Sequence, residues 1–267
     1  MAFYNISMST QRAQGFTLIE LSIVLVIIGL LAGGVLVGRD LIRAAAIHQE
    51  VSRLTSYETA FYTFTLKYNA IPGDFNQPGI IGGVTVGHYG DGNGIIDNFA
   101  VFGNSSPSEG AYAWEHLSKA GLIEGNYDGN FSLGNFHCAA GVTCPGTPFN
   151  QTAVPFLGWP FQGGYALLYG SPLLAASTNI TMMLLNGNNL NATTGMLTVD
   201  QAYAIDAKLD DGVAYSGRVL TINPALAATG CIDGSPRDRP LDFTSHTYNY
   251  NLATDTIDDC EMVYVMR

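Results

Sequence analysis

One stretch constrains this chain before any other: "FTLIELSIVLVIIGLLAGGVLVG", residues 16 to 38, holds 23 residues and a single charge, Glu20. As a helix rising about 1.5 Å per residue, the uninterrupted apolar part from Leu21 to Gly38 spans about 27 Å, close to the roughly 30 Å of a bilayer's hydrocarbon core. A membrane-spanning helix is the reading that follows. A carboxylate inside a bilayer costs on the order of 2.5–3.5 kcal/mol on insertion scales, so Glu20 calls for a positive partner. The plainer alternative is a carboxylate that snorkels to the interface from the start of the helix. Arg12 precedes the span and acidic residues dominate after it, which favours an N-terminus in the cytoplasm, although Arg39 and Arg43 follow the span closely.

An ordinary secretory signal places its small cleavage-site residues after the apolar region, whereas Gly15 comes before it, so a cut there leaves the helix attached. Gly15, Phe16, Thr17, Leu18, Ile19 and Glu20 followed by an apolar run resemble the prepilin processing site of type IV pilins and type II secretion pseudopilins. The resemblance implies a single-pass precursor in a bacterial inner membrane, cut between Gly15 and Phe16 by a prepilin peptidase that also N-methylates the new Phe16 amine. It implies that Glu20 pairs with the N-terminal ammonium of a neighbouring subunit as helices bundle into a filament. The partners implied are other pilin or pseudopilin subunits, the peptidase, an inner-membrane assembly platform and membrane lipid. Where many pilins carry a proline near the end of the apolar run, this chain has Gly33, Gly34 and Gly38. Each costs a helix about 1 kcal/mol relative to Ala, and they either loosen the helix or permit close helix packing.

The helical pattern continues past the span. Ile47, Val51, Leu54, Phe61, Phe64 and Tyr68 recur at steps of three and four with a break near Tyr57, while His48, Gln49, Arg53 and Lys67 take the other faces. Pro72 and Gly73 in "YNAIPGD" end it, so one helix of roughly 80 Å runs from Phe16 to about Asn69. Beyond it, "EGAYAWEHLSKAGLIEG" reads as a short helix with Ser108 as its cap, Trp114 on its core face and Gly121 at its C-terminal end. Thr198 and Gln201 are spaced as a capping box ahead of a second one. Strands are expected at residues 163–170, 179–187, 217–223 and 261–267, separated by Gly, Asn and Pro turns. The fold class read from this is α+β and pilin-like, with a long N-terminal helix packed on an antiparallel sheet with long loops. Its parts are a leader (1–15), a transmembrane and filament-core helix (16–38), an amphipathic continuation (39–70) and an extracytoplasmic globular domain (71–267), periplasmic or, in a filament, extracellular.

Charge and cysteine content narrow the function. Residues after the span carry 10 Lys and Arg, of which only three are Lys, against 21 Asp and Glu. Such a domain lacks the basic face that phosphate neutralisation requires, which makes nucleic acid an unexpected partner. In an oxidising compartment, sequence proximity pairs Cys138 with Cys144 and Cys231 with Cys260; free buried thiols and a zinc site are the alternatives. In "YGDGNGIID", Asp91, Asn93 and Asp97 offer oxygen ligands of the kind Ca2+ takes, although the Glu of an EF-hand loop is absent, and major pseudopilins carry calcium in their loop region; a plain acidic turn is the alternative. Asp206, Asp210 and Asp211 crowd the end of a short helix, where the helix dipole disfavours them; Arg218 is the expected compensation, and a second metal site is the alternative. No nucleophile elbow, phosphate loop, zinc-binding helix or dinucleotide fingerprint occurs, so the chain reads as structural rather than catalytic. The competing class is a tethered extracytoplasmic binding module or enzyme that does not polymerise.

Overall fold

The computed structural model describes residues 16–94, 96, 109–130, 145, 154–158, 181–186, 197–214, 216–222, 231, 248 and 260–266. Two compact units divide the chain, Met1–Ala45 and Ala46–Arg267.

Helix α1, Leu18–Tyr68, is continuous through 51 residues, with Gly33, Gly34 and Gly38 inside it and no break at any of them. In the first unit every large apolar side chain from Phe16 to Ile42 is at least 50% exposed, and the helix is long and apolar enough to cross a membrane. In the second unit the same helix becomes amphipathic. Ile47, Glu50, Leu54, Tyr57, Ala60, Phe61 and Phe64 are buried, at the three- and four-residue steps of one helical face. The apparent break in the apolar periodicity is therefore filled by Tyr57. The helix ends where Asn69 adopts a left-handed conformation with φ of 50°, a common way for a last turn to close.

Residues 71–94 contain no helix or strand. They lie against α2, Glu109–Lys119, which carries Trp114 and Leu117 fully buried. Its C-terminus closes in a Schellman arrangement: Gly121, at φ of 71°, donates to the Ser118 carbonyl, and Leu122 N–H reaches back to the Leu117 carbonyl, both at 3.0 Å. Ser108, expected as the N-cap, lies outside the described residues.

Among the described residues the sheet has four strands, all antiparallel, in the order β1-β2-β4-β3. These are β1, Val154–Gly158; β2, Thr181–Asn186; β3, Val219–Ile222; and β4, Glu261–Met266. The last three coincide with expected strands, and the expected strand at 163–170 lies outside the described residues. Strand β1 was not anticipated, because Pro155 lowers the strand signal of its short segment. Its place in the sheet explains the tolerance: among the described residues β1 pairs only with β2, and an edge strand is where Pro is accommodated. Between β2 and β3 in sequence comes α3, Val199–Leu209, whose capping box is present as the spacing predicts: Thr198 Oγ1 accepts from Gln201 N–H, and Gln201 Oε1 accepts from Thr198 N–H. A long apolar helix with helices and an antiparallel sheet is the α+β, pilin-like class.

Candidate functional site

At the start of α1, Thr17 and Glu20 form a second reciprocal cap. The Thr17 backbone N–H and hydroxyl both donate to Glu20 Oε2 at 2.8 Å, and Glu20 N–H donates to Thr17 Oγ1 at 3.3 Å. Three residues separate the pair, the spacing at which an N-cap hydroxyl and a first-turn carboxylate satisfy orphan N–H groups in both directions. The helix dipole adds to this, since its positive end lies at the first turn. Glu20 therefore sits oriented rather than loose, with lone pairs left over for a cation such as an ammonium. Phe16 is 83% exposed. Gly15 lies outside the described residues.

The loop site differs from the one spelled out by local spacing. Asp91 is brought together with Asp74 and Glu109, one carboxylate oxygen from each lying within 4.8 Å of the others. Asn93 donates its backbone and side-chain N–H groups to the two Asp91 oxygens, each at 2.9 Å, and Asp97 lies outside the described residues. Asp74 gathers the backbone N–H groups of Gly92 (2.6 Å), Asn93 (3.1 Å) and Gly94 (2.7 Å), while Glu109 Oε1 accepts from Asp91 N–H at 3.2 Å. Burial, and secondarily the charge of Asp91, raise the Asp74 carboxyl above its usual range, against the pull of those three N–H groups. An all-oxygen set of three converging carboxylates fits a hard divalent ion such as calcium. Asp74 and Glu109, distant in sequence from Asp91, carried no signal of their own.

Two side chains of α2 hold the rest of this loop. Glu115, fully buried, accepts from the Thr85 N–H and hydroxyl, both at 2.7 Å, and meets His88 Nδ1 at 2.6 Å. His116 accepts from Gly73 N–H at Nδ1 (2.9 Å) and, in the tautomer this requires, donates from Nε2 to the His88 carbonyl (2.8 Å). Burial lowers the His116 pKa, keeping the ring neutral as both bonds demand. Phe64 stacks on that ring at 6.1 Å.

Among the described residues, the carboxylates at the end of α3, with one oxygen from each within 4.8 Å of the others, are met by N–H and O–H groups rather than by the Arg218 guanidinium. Asp206 Oδ2 accepts from the Tyr248 hydroxyl at 2.8 Å, and Tyr248 in turn shares a 2.8 Å bond with Thr221. Asp210 accepts from the backbone N–H groups of Arg218 and Val219. Asp211 accepts from Val213 N–H and Ser216. The Arg218 guanidinium instead pairs with Glu58 on α1. Burial pushes the Asp206 carboxyl up to about 6.

Cys231 and Cys260, both fully buried, are joined in a disulfide. Cys260 also exchanges backbone hydrogen bonds with Leu197 in both directions, at 2.9 and 3.1 Å. Cys138 and Cys144 lie outside the described residues.

No curated protein and no solved structure matches the chain. The family model for the prokaryotic N-terminal methylation motif matches residues 10–36, the stretch that contains Phe16, the Thr17–Glu20 cap and most of the apolar run. The chain thus carries the signal motif of type IV pilins and pseudopilins.

Proposed function

We propose that this protein is a structural subunit of a pilin-like filament, a type IV pilus or a type II secretion pseudopilus. A prepilin peptidase cleaves it between Gly15 and Phe16 and methylates the Phe16 amine. The observation that carries this is the methylation motif at residues 10–36 opening a helix whose apolar side chains stay exposed as far as Ile42. Such a surface requires lipid or other helices around it. Before assembly the helix anchors the chain once in the inner membrane, N-terminus in the cytoplasm, with the globular part outside. On assembly Glu20, already oriented by Thr17, pairs with the Phe16 ammonium of a neighbour, and both charges are neutralised as the helices bundle.

In this reading the chain is not an enzyme; its partners are its own kind, the peptidase and the assembly platform. Asp74, Asp91 and Glu109 would hold calcium, which when bound supplies a positive centre that rigidifies the 74–94 loop.

The deciding experiment replaces Glu20 with Val in cells expressing only the mutant copy and measures filament-fraction against membrane-fraction protein by immunoblot. Loss of a membrane-buried charge alone would help insertion and change nothing else. A pairing role predicts intact cleavage and insertion with a sharp fall in filament protein, and an intermediate fall for Glu20→Asp. An unchanged ratio rejects the pairing role, and a native chain that never enters sheared filaments favours a non-polymerising tether.

A further inference from the structure

Glu50 sits on α1 three residues after Ile47, among the first buried positions of the second unit, and its side chain is fully buried. Among the described residues, its Oε2 receives one hydrogen bond, from Arg53 Nη1 at a long 3.4 Å, and its Oε1 has no hydrogen-bond partner. Arg53 divides its charge, because its Nε and Nη2 also donate to the Tyr57 hydroxyl at 3.3 and 3.0 Å. An ionised carboxylate buried with one oxygen bare carries a desolvation cost that a single stretched contact does not offset. A neutral acid at the same place loses far less on burial.

We propose that Glu50 is a proton-dependent latch: as the neutral acid it lets the first turns of the globular half of α1 seat in the core, and its ionisation loosens them. The groups around it agree. Burial pushes its carboxyl up to about 7, and Arg53, which pulls it down, is the cation acting on it. On α1 the titratable neighbours are Arg53 and Tyr57; from the segment after α2, Tyr127 and Glu124 act on that Arg–Tyr pair. Tyr57 packs edge-on against Trp114 of α2 at 5.0 Å. The Trp114 Nε1 is the other buried side-chain polar atom without a hydrogen-bond partner among the described residues. The latch is independent of whether the chain polymerises.

The direction follows from linkage. Between the ordinary value of 4.5 and about 7 the folded chain holds a proton that the unfolded chain has released. The stabilisation is fully present below the ordinary value and is lost as pH rises through the folded value. Within that window each pH unit lowers the folding equilibrium constant by up to about tenfold through this group.

The test uses the full chain in detergent micelles with isotope-labelled glutamate carboxyls. The infrared band of a protonated glutamic acid that remains above the ordinary glutamate range should be present at about pH 6, disappear with a midpoint near 7, and be missing from Glu50→Gln and Glu50→Met over that range. Hydrogen exchange of the amides of residues 47–61, corrected for intrinsic rate, should speed up several-fold from about pH 6 to pH 8 in the native chain and stay flat in both variants. Glu50→Met guards against a Gln variant that does not fold. A glutamate band that survives in the variants, or exchange that responds to pH equally in all three proteins, overturns the latch.

Discussion

Tyr264, on the last strand, donates its hydroxyl to the Glu58 carboxylate of the long helix at 2.7 Å, across 206 residues of sequence. Arg218, just ahead of β3, joins both: it pairs with Glu58, donates to the Tyr264 hydroxyl at 2.9 Å, lies over the Tyr264 ring at 5.0 Å and donates to the Val265 carbonyl at 3.3 Å. Helix and sheet are thereby tied through one carboxylate. Tyr264→Phe should destabilise the fold by about 1–2 kcal/mol, at the low end for a bond to a charged group because Arg218 still satisfies Glu58. Arg218→Met should cost more, about 2 kcal/mol, since Glu58 then loses its cation while still largely buried. Urea unfolding of the two variants measures the difference, and a negligible loss in Arg218→Met would mean that the guanidinium contributes nothing of its own.

Gly129 sits at φ of 65°, and a Cβ there would lie 2.4 Å from Glu115 Oε2 and 2.9 Å from His88 Nδ1. Gly129→Ala therefore forces apart the Glu115–His88 contact as well as straining the backbone. We expect a loss of about 2 kcal/mol or more, beyond the ~1 kcal/mol of the left-handed conformation alone. Limited proteolysis should show faster cleavage within residues 76–94, the segment this contact pins. Glu115→Ala should give the same cleavage pattern. Cleavage elsewhere would argue against that role.

The disulfide closes a loop between positions 29 apart, for which the chain-entropy model gives about 3–4 kcal/mol. Replacing both Cys231 and Cys260 with Ala should lower stability by up to that amount. It should also speed amide exchange at Leu197, whose N–H is held by the Cys260 carbonyl. Non-reducing peptide mapping of protein trapped directly from cells checks the bond itself; recovery of both as free thiols would count against it.

Calcium should raise the melting temperature of the full chain, and Asp91→Ala should abolish that rise with little effect on stability when calcium is withheld. Asp74→Ala should destabilise in either condition, because it releases the N–H groups of Gly92, Asn93 and Gly94. Differential scanning fluorimetry with calcium or with chelator separates the two roles. A calcium response unchanged in Asp91→Ala removes this cluster as the site.

Replacing Gly15 with a bulky residue should block maturation, since the processing enzyme must accept a residue without a side chain at that position. Mass spectrometry of membrane-extracted Gly15→Leu protein should find chains that still begin at Met1. A methylated Phe16 terminus in that variant would show that cleavage does not depend on Gly15.

What the sequence determined by itself is local. The apolar run and the Gly15–Glu20 signature need no folding partner to be read, and the Thr198–Gln201 cap and the Asn69 and Gly121 helix ends depend on residues a few positions apart. The strands 181–186, 219–222 and 261–266 declare themselves as short apolar runs between turn residues. Tertiary structure decided what each polar side chain finds. No spacing rule joins Asp74 and Glu109 to Asp91, or sends Arg218 to Glu58 while its backbone serves Asp210, because those pairings depend on which surfaces the helix, loop and sheet bring together. Glu50 shows the difference most clearly. By sequence it is one more charge on an amphipathic helix, and only the depth at which α1 packs places its carboxyl beyond the reach of water, where desolvation outweighs the single arginine beside it.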